Sequence, residues 1–212
     1  MTANLSHSEP AGNITHVLLD ADGVVQRLPG GWQVALAPVV PDPAALFARL
    51  ARDEEACIRG EGPFRPVLAS HLEALGVTTP AQEVYDAVWA NIAVDRRVIE
   101  LVGELRASGI GCHLATNQNP ERAEYMRSGI GHDEVFDSSF YSCEIGLAKP
   151  DPAYFRHVLD ALDATPAQVA FVDDSERNVQ AARELGLAAE QWHTSDGITR
   201  LRELLAGRGM TL

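Results

Sequence analysis

The chain has 212 residues, 46% of them hydrophobic and 22% charged, which suffices for one sizeable core or for a core with a small second module. Its formal charge is -13, from 17 basic and 30 acidic side chains. Such a balance repels polyanions and argues against nucleic acid or an anionic membrane as the partner, while one local positive pocket can still hold a small phosphate ester.

Met1 to Asn13 is polar, has no apolar signal core and reads as a flexible leader. The first apolar run, Ile14 to Leu19, is short, branched and closed by Asp20, which predicts a buried strand. Gly23, Gly30 and Gly31 then turn the chain. From about Gln26 to Val94 the pattern is mostly helical. Ala44 to Ile58 forms one predicted helix and Val67 to Leu75 a second, stopped by Gly76; Thr79 caps a third with Pro80 in its first position.

From Asp95 the pattern alternates. Val98, Leu101, Val102 and Leu105 mark one face of a helix closed by Gly109, and Ile110 to Ala115 is a strand. A helix from Pro120 to Gly129 and a weaker strand over Val135 to Phe140 follow. Asp151 and Pro152 open a helix, Gln168 to Val172 is a strand, and Ser175 to Leu185 is a helix. Leu187 to Trp192 and Ile198 to Leu205 complete the series as strand and helix. Strands alternating with helices imply a doubly wound, parallel α/β sheet. The predicted division is a core over 14–25 and 95–212, with a helical module over 26–94 inserted between them. No run reaches the roughly 18 apolar residues of a membrane span. Cys57, Cys112 and Cys143 are widely spaced and odd in number, which suits a reducing compartment, so the expected location is the cytoplasm.

The polar residues fall at the ends of these strands. Strand one ends in Asp20-Ala21-Asp22-Gly23, the next in Thr116-Asn117, and a later one in Asp173-Asp174-Ser175, while Lys149-Pro150 precedes a helix. In a doubly wound sheet such ends converge on one crevice. Carboxylates crowded there raise one another's pKa, and a divalent cation removes the conflict; all-oxygen ligands favour Mg²⁺. Cation and lysine together make a pocket for a phosphoryl group, which a free carboxylate can attack while another serves as acid and base.

In these motifs the chain resembles the haloacid dehalogenase (HAD) superfamily. The likeness rests on Asp20-Ala21-Asp22-Gly23-Val24-Val25, Thr116-Asn117, Lys149-Pro150-Asp151-Pro152 and Phe171-Val172-Asp173-Asp174-Ser175, with Asn178 and Ala181-Ala182 beyond. The match runs from about Ile14 to Leu187, and the helical module resembles the inserted cap of one large subfamily. The resemblance implies a Rossmann-like core with a helical cap and a Mg²⁺-dependent phosphatase acting on a small phosphorylated metabolite such as a sugar phosphate. It implies that Asp20 is nucleophile and metal ligand, and that Asp22 is acid and base and binds metal through its carbonyl. Thr116, the Asn117 backbone and Lys149 would hold the phosphoryl group, with Asp174 and Asp173 completing the metal site. Asn178 stands where relatives frequently carry aspartate.

In the module, Trp32, Arg59, Glu61 and Arg65 are candidates to face the substrate, set against surface or packing roles. His16 and His113 read as core or near-core residues, and His71, His132 and His157 show no ligand spacing. Rival functions are a phosphosugar mutase on the same core, a dehalogenase and a non-catalytic binding protein. Asp22 argues against dehalogenation, because displacing halide at carbon needs no acid for a leaving oxygen.

Overall fold

In the computed structural model, which describes residues 13–210, the branched run after Asn13 becomes strand β1, His16–Leu19. Two very short strands, β2 (Gln26–Arg27) and later β3 (Ala93–Val94), pair antiparallel and bracket the next stretch of chain. Between them lie four helices: α1 (Gly31–Leu36), α2 (Pro43–Ile58), α3 (Phe64–Ala74) and α4 (Ala81–Val88). Beyond β3 come α5 (Arg96–Ala107), β4 (Gly111–Thr116) and α6 (Pro120–Glu124), then α7 (His132–Val135), β5 (Ser138–Tyr141) and α8 (Ser142–Ile145). The chain closes with α9 (Pro152–Ala161), β6 (Val169–Asp173), α10 (Glu176–Glu184), β7 (Ala188–Gln191) and α11 (Ile198–Ala206).

The main sheet has the order β5-β4-β1-β6-β7, with every neighbouring pair parallel. All five of its strands overlap those predicted from the apolar runs. β1 lies at the centre, and alternation along it feeds both faces. Val17 and Leu19 join a core with Leu101, Leu114 and Leu201; Leu18 joins another with Phe155, Phe171 and Val179. Burial on both sides explains why these strands read as unbroken apolar runs rather than alternating ones. The four helices between β2 and β3 bury a separate cluster, in which Leu46, Leu50, Phe64, Leu68, Tyr85 and Trp89 meet.

Three local expectations fail. Thr79 does not cap α4: its hydroxyl donates to the Val39 carbonyl at 2.7 Å, and Pro80 is the cap residue. The helix opened by Pro120 does not stop at Gly129. It continues as a π-helical turn over Tyr125–Ile130 and ends at Gly131, whose φ of 83° is the left-handed conformation that glycine tolerates. The second helix of the module starts at Phe64 rather than Val67, because the backbone N–H groups of Phe64 and Arg65 find an acceptor in Glu121. The leader predicted over Met1 to Asn13 lies, apart from Asn13, outside the described residues. Among the described residues no helix is long and apolar enough to cross a membrane. Cys57 and Cys112 are buried, Cys143 is partly so, and none forms a disulfide.

Candidate active site

Register decides what meets at the carboxyl edge of the sheet. Leu19 pairs with Leu114 on β4 and with Val172 on β6, so Asp20 emerges level with Asp173 and with Ala115, one residue before Thr116. The Asp20 N–H donates to the Val172 carbonyl at 2.9 Å, which carries the strand alignment one residue past β1.

Lys149 reaches this edge from the loop before α9. Its ammonium donates to Asp20 Oδ1 at 2.8 Å, Asp173 Oδ2 at 2.6 Å and the Ala115 carbonyl at 2.7 Å. All three of its protons are therefore used, in a place where the lysine side chain is 1% exposed. Asn117 fixes the lysine backbone from both sides, accepting from Lys149 N at 2.9 Å and donating to Lys149 O at 2.8 Å. Asp173 is held in turn by the Ser175 N–H at 2.8 Å and by the Asn178 amide, 3.0 Å from each carboxylate oxygen. An aspartate at 178 could not donate in this way, so the amide suits a partner that is itself a carboxylate. Thr116 is buried, and its hydroxyl accepts from Gln118 at 3.0 Å.

Asp20, Asp173 and Asp174 each offer an oxygen, and these atoms lie within 4.8 Å of one another. Burial pushes the Asp20 carboxyl up to about 7; Lys149 pulls it down, and Asp173 adds to the rise. Burial and then Asp173 raise Asp174 as well. Burial works against the Lys149 ammonium, but Asp20 and Asp173 outweigh it and raise its pKa. Three carboxylates against one ammonium leave negative charge in excess, the imbalance that a hard divalent cation removes. The backbone is shaped to admit Asp174: Gly23 has φ 84°, and a Cβ there would fall 2.4 Å from Asp174 Oδ2. We expect Gly23→Ala to displace Asp174 and weaken Mg²⁺ binding about tenfold or more, read by calorimetry on a variant whose far-ultraviolet dichroism matches the native protein. Unchanged affinity would remove Asp174 from the metal site.

Asp22, expected from the sequence to be acid and base, is held by several partners. It forms a bidentate pair with Arg122, with NH1 to Oδ2 and NH2 to Oδ1 both at 2.7 Å. Gln118 donates to it at 2.8 Å and Gln26 at 3.1 Å. Burial alone would raise its pKa, but Arg122 and these hydrogen bonds outweigh burial and hold the carboxyl below its usual range. Arg122 also donates through Nε to the Trp89 carbonyl at 2.9 Å, tying Asp22 to the end of α4. The sequence reading missed Arg122, Gln118 and Gln26. Their signal was positional: Gln118 follows the Thr116-Asn117 strand end, and Arg122 occupies the first turn of the helix after it, the turn that faces the crevice.

Of the four candidates in the helical module, Trp32 lines the cavity above the carboxylates. Arg59 instead pairs with Glu55 at 3.5 Å, Arg65 stacks over Tyr85 at 4.6 Å from the ring centre, and Glu61 is exposed. His16 and His113 hydrogen-bond to each other at 3.0 Å within the sheet, and buried His132 bonds Gln26 at 2.8 Å.

Residues 14–186 match the family described as haloacid dehalogenase-like hydrolase. The chain belongs to that family. It is 32% identical over 110 residues to the sesquiterpene phosphatase astK of Aspergillus oryzae, covering 52% of this chain and 55% of that protein. It is 33% identical over 156 residues to the phosphoserine phosphatase of Thermus thermophilus, covering 68% of this chain and 61% of that protein. The chain thus spans little more than half the length of these relatives. A HAD family enzyme from Bacteroides thetaiotaomicron, solved in complex with magnesium and inorganic phosphate, shares the fold with a TM-score of 0.70 at 18% identity, covering 89% of this chain and 99% of that one.

Proposed function

We propose that the protein is a Mg²⁺-dependent phosphatase that hydrolyses a small phosphorylated metabolite through a phosphoryl group carried transiently on Asp20. The observation that carries this reading is the buried Lys149 ammonium shared between Asp20 and Asp173. It leaves Asp20 fixed at the strand end with its second oxygen free of the lysine. The named phosphatases among the relatives support the same reaction class.

Asp20, Asp173 and Asp174, with the Asp22 carbonyl, would hold Mg²⁺, whose charge would favour the ionised carboxylates and offset the charge of the phosphoryl oxygens. Asp20 attacks phosphorus in line with the leaving oxygen. Thr116 and the Asn117 backbone hold the phosphoryl oxygens, while the Lys149 ammonium offsets their charge and keeps Asp20 charged and oriented. Paired with Arg122, Asp22 is held ionised; once that pair loosens it takes up a proton, gives it to the leaving oxygen, and then takes one from the water that cleaves the aspartyl-phosphate. Arg122 is the positioning residue for Asp22.

The helical module over 26–94 acts as a cap on this site. Three polar ties support that role: Glu121 on the backbone N–H groups that open α3, the Ser142 hydroxyl on the Ile58 carbonyl at 2.7 Å, and Arg122 on the Trp89 carbonyl. Since Arg122 grips both Asp22 and the cap, movement of the cap changes the setting of the acid.

The test is phosphate release, which a mutase would not give, with Mg²⁺ present and then chelated. The native protein should release phosphate from p-nitrophenyl phosphate and from alkyl phosphates, and chelation should abolish both. Asp22→Asn should lose about 10²–10⁴ in rate on alkyl phosphates and much less on p-nitrophenyl phosphate, whose leaving group needs little protonation. Equal losses on both esters would reject the role of Asp22, and full activity in excess chelator would reject the metal.

A further inference from the structure

The cavity above the carboxylates holds a second record of the substrate, in the side chains that surround its organic part. It has a volume of about 270 Å³ and opens on Asp22, Asp174 and Arg122. Those three form its charged floor. The rest of the lining is Leu28, Trp32, Val88 and Trp89, with Arg27 and His193 as the remaining polar side chains. Among the described residues, no Asn, Gln, Ser, Thr or Tyr lines it.

That composition bears on specificity. A polyhydroxylated substrate needs several donors and acceptors placed against its hydroxyls, and a hydroxyl buried without a partner is costly. Of the polar side chains outside the carboxylates in this lining, Arg122 is already engaged, which leaves Arg27 and one ring nitrogen of His193, few for several hydroxyls. Arg122 spends its three kinds of nitrogen on Asp22, Gln118 and the Trp89 carbonyl. Arg27 is a solvent-exposed residue, and His193 Nδ1 bonds the Ser195 hydroxyl at 2.7 Å.

The apolar wall is built rather than accidental. Trp32 stands edge-on to Phe47 with ring centres 4.2 Å apart, and to Trp89 at 5.4 Å. Trp89 is further fixed by Phe64 at 4.6 Å and by its indole N–H on Glu54 at 3.3 Å. Trp32 nonetheless remains 37% exposed, one of the few large apolar side chains of the described chain left that open. A tryptophan held in place by two aromatic neighbours, yet turned to a cavity, offers a preformed apolar surface at little entropic cost.

We infer that the substrate is a phosphomonoester whose organic part is apolar, an aromatic ring or a short branched hydrocarbon, packed on Trp32 opposite Leu28 and Val88, and not a sugar phosphate. This rests on the phosphatase reading for the phosphoryl end and adds the chemistry of the other end. It replaces the sugar phosphate expected from the sequence.

Binding and turnover test the two readings separately. Tryptophan fluorescence titrations with Mg²⁺ present would compare benzylphosphonate with methylphosphonate, neither of which can be hydrolysed. Benzylphosphonate should bind at least about tenfold tighter, and Trp32→Ala should bring that ratio close to one. Phosphate release should favour benzyl and prenyl phosphates over glucose 6-phosphate by about 10²-fold in kcat/KM. A Trp32→Phe variant, which keeps an aromatic face, should retain most of both preferences and guards against misfolding in the alanine variant. Equal affinity for the two phosphonates, no binding of either, or a native preference for glucose 6-phosphate would overturn the inference. Tight benzylphosphonate binding without release of phosphate from any ester would instead overturn the phosphatase reading alone.

Discussion

Asp20→Asn is expected to lose at least about 10⁴ in turnover while remaining folded, the scale of effect seen when a covalent nucleophile is removed. The amide has the same shape but cannot form a stable phosphoryl ester link. It keeps a carbonyl oxygen for Lys149, and the lysine retains Asp173 at 2.6 Å. Folding should not suffer, because the substitution takes one charge out of a cluster in which burial already pushes Asp20 up to about 7. A thermal melt at or above the native midpoint, with turnover reduced to background, is the expected pair of results. A folded Asp20→Asn variant with near-native turnover would rule out covalent catalysis at this residue.

Lys149→Met has the second large effect, and it reaches both stability and activity. Among the described residues, the native ammonium is the one positive charge in direct contact with Asp20 and Asp173. Its loss leaves two buried carboxylates facing each other, and breaking a buried pair by removing one partner costs about 3–5 kcal/mol. The melting temperature of metal-free protein should therefore fall by several degrees or more. Mg²⁺ should restore a larger share of stability to the variant than to the native protein, because it supplies the missing positive charge. Turnover with Mg²⁺ present should still fall by about 10²–10³, since the fixed positive charge that orients Asp20 and offsets the phosphoryl oxygens is gone. A melting temperature unchanged in chelator would show that the lysine does not balance these carboxylates.

How far the sequence led can be traced residue by residue. The central strands β4, β1 and β6 were legible because they are buried on both faces, so each is an apolar run with a polar residue at its carboxyl end, while the edge strands β5 and β7 are only partly buried and carry weaker patterns. That same geometry placed Asp20, Thr116, Lys149, Asp173 and Asp174 in one crevice before any coordinate was known. The helical module was legible as helices, but the strand pair that brackets it was not. β2 and β3 have two residues each, too short for any period to register. Thr79 looked like a cap because Thr-Pro often is one, but its hydroxyl had a better acceptor, Val39 O, forty positions away. The Glu121 carboxylate that starts α3 is likewise more than fifty positions distant.

The deeper gap concerns Asp22. Its spacing from Asp20 placed it near that residue, yet spacing says nothing about what holds a side chain. Arg122 is a hundred positions away, and its two bonds to Asp22 depend on α6 packing beside the first loop. A lone arginine in a helix reads as a solvated charge, and only the fold shows that this one is 9% exposed and committed to the site. Trp32 was a candidate among four, and what distinguishes it from Arg59, Glu61 and Arg65 is which way the module faces the core, again a tertiary fact.

The central claim is that Asp20 carries the phosphoryl group, and rapid acid quench of the native protein during turnover tests it most directly. Mg²⁺ and p-nitrophenyl phosphate would be mixed with enzyme and stopped within a turnover, and the digested peptides weighed. The mass of one phosphoryl group should appear on the tryptic peptide that ends at Arg27, fragment to Asp20, and be absent from Asp20→Asn. Steady release of phosphate with that peptide unmodified, or with the label on any other residue, would contradict the account.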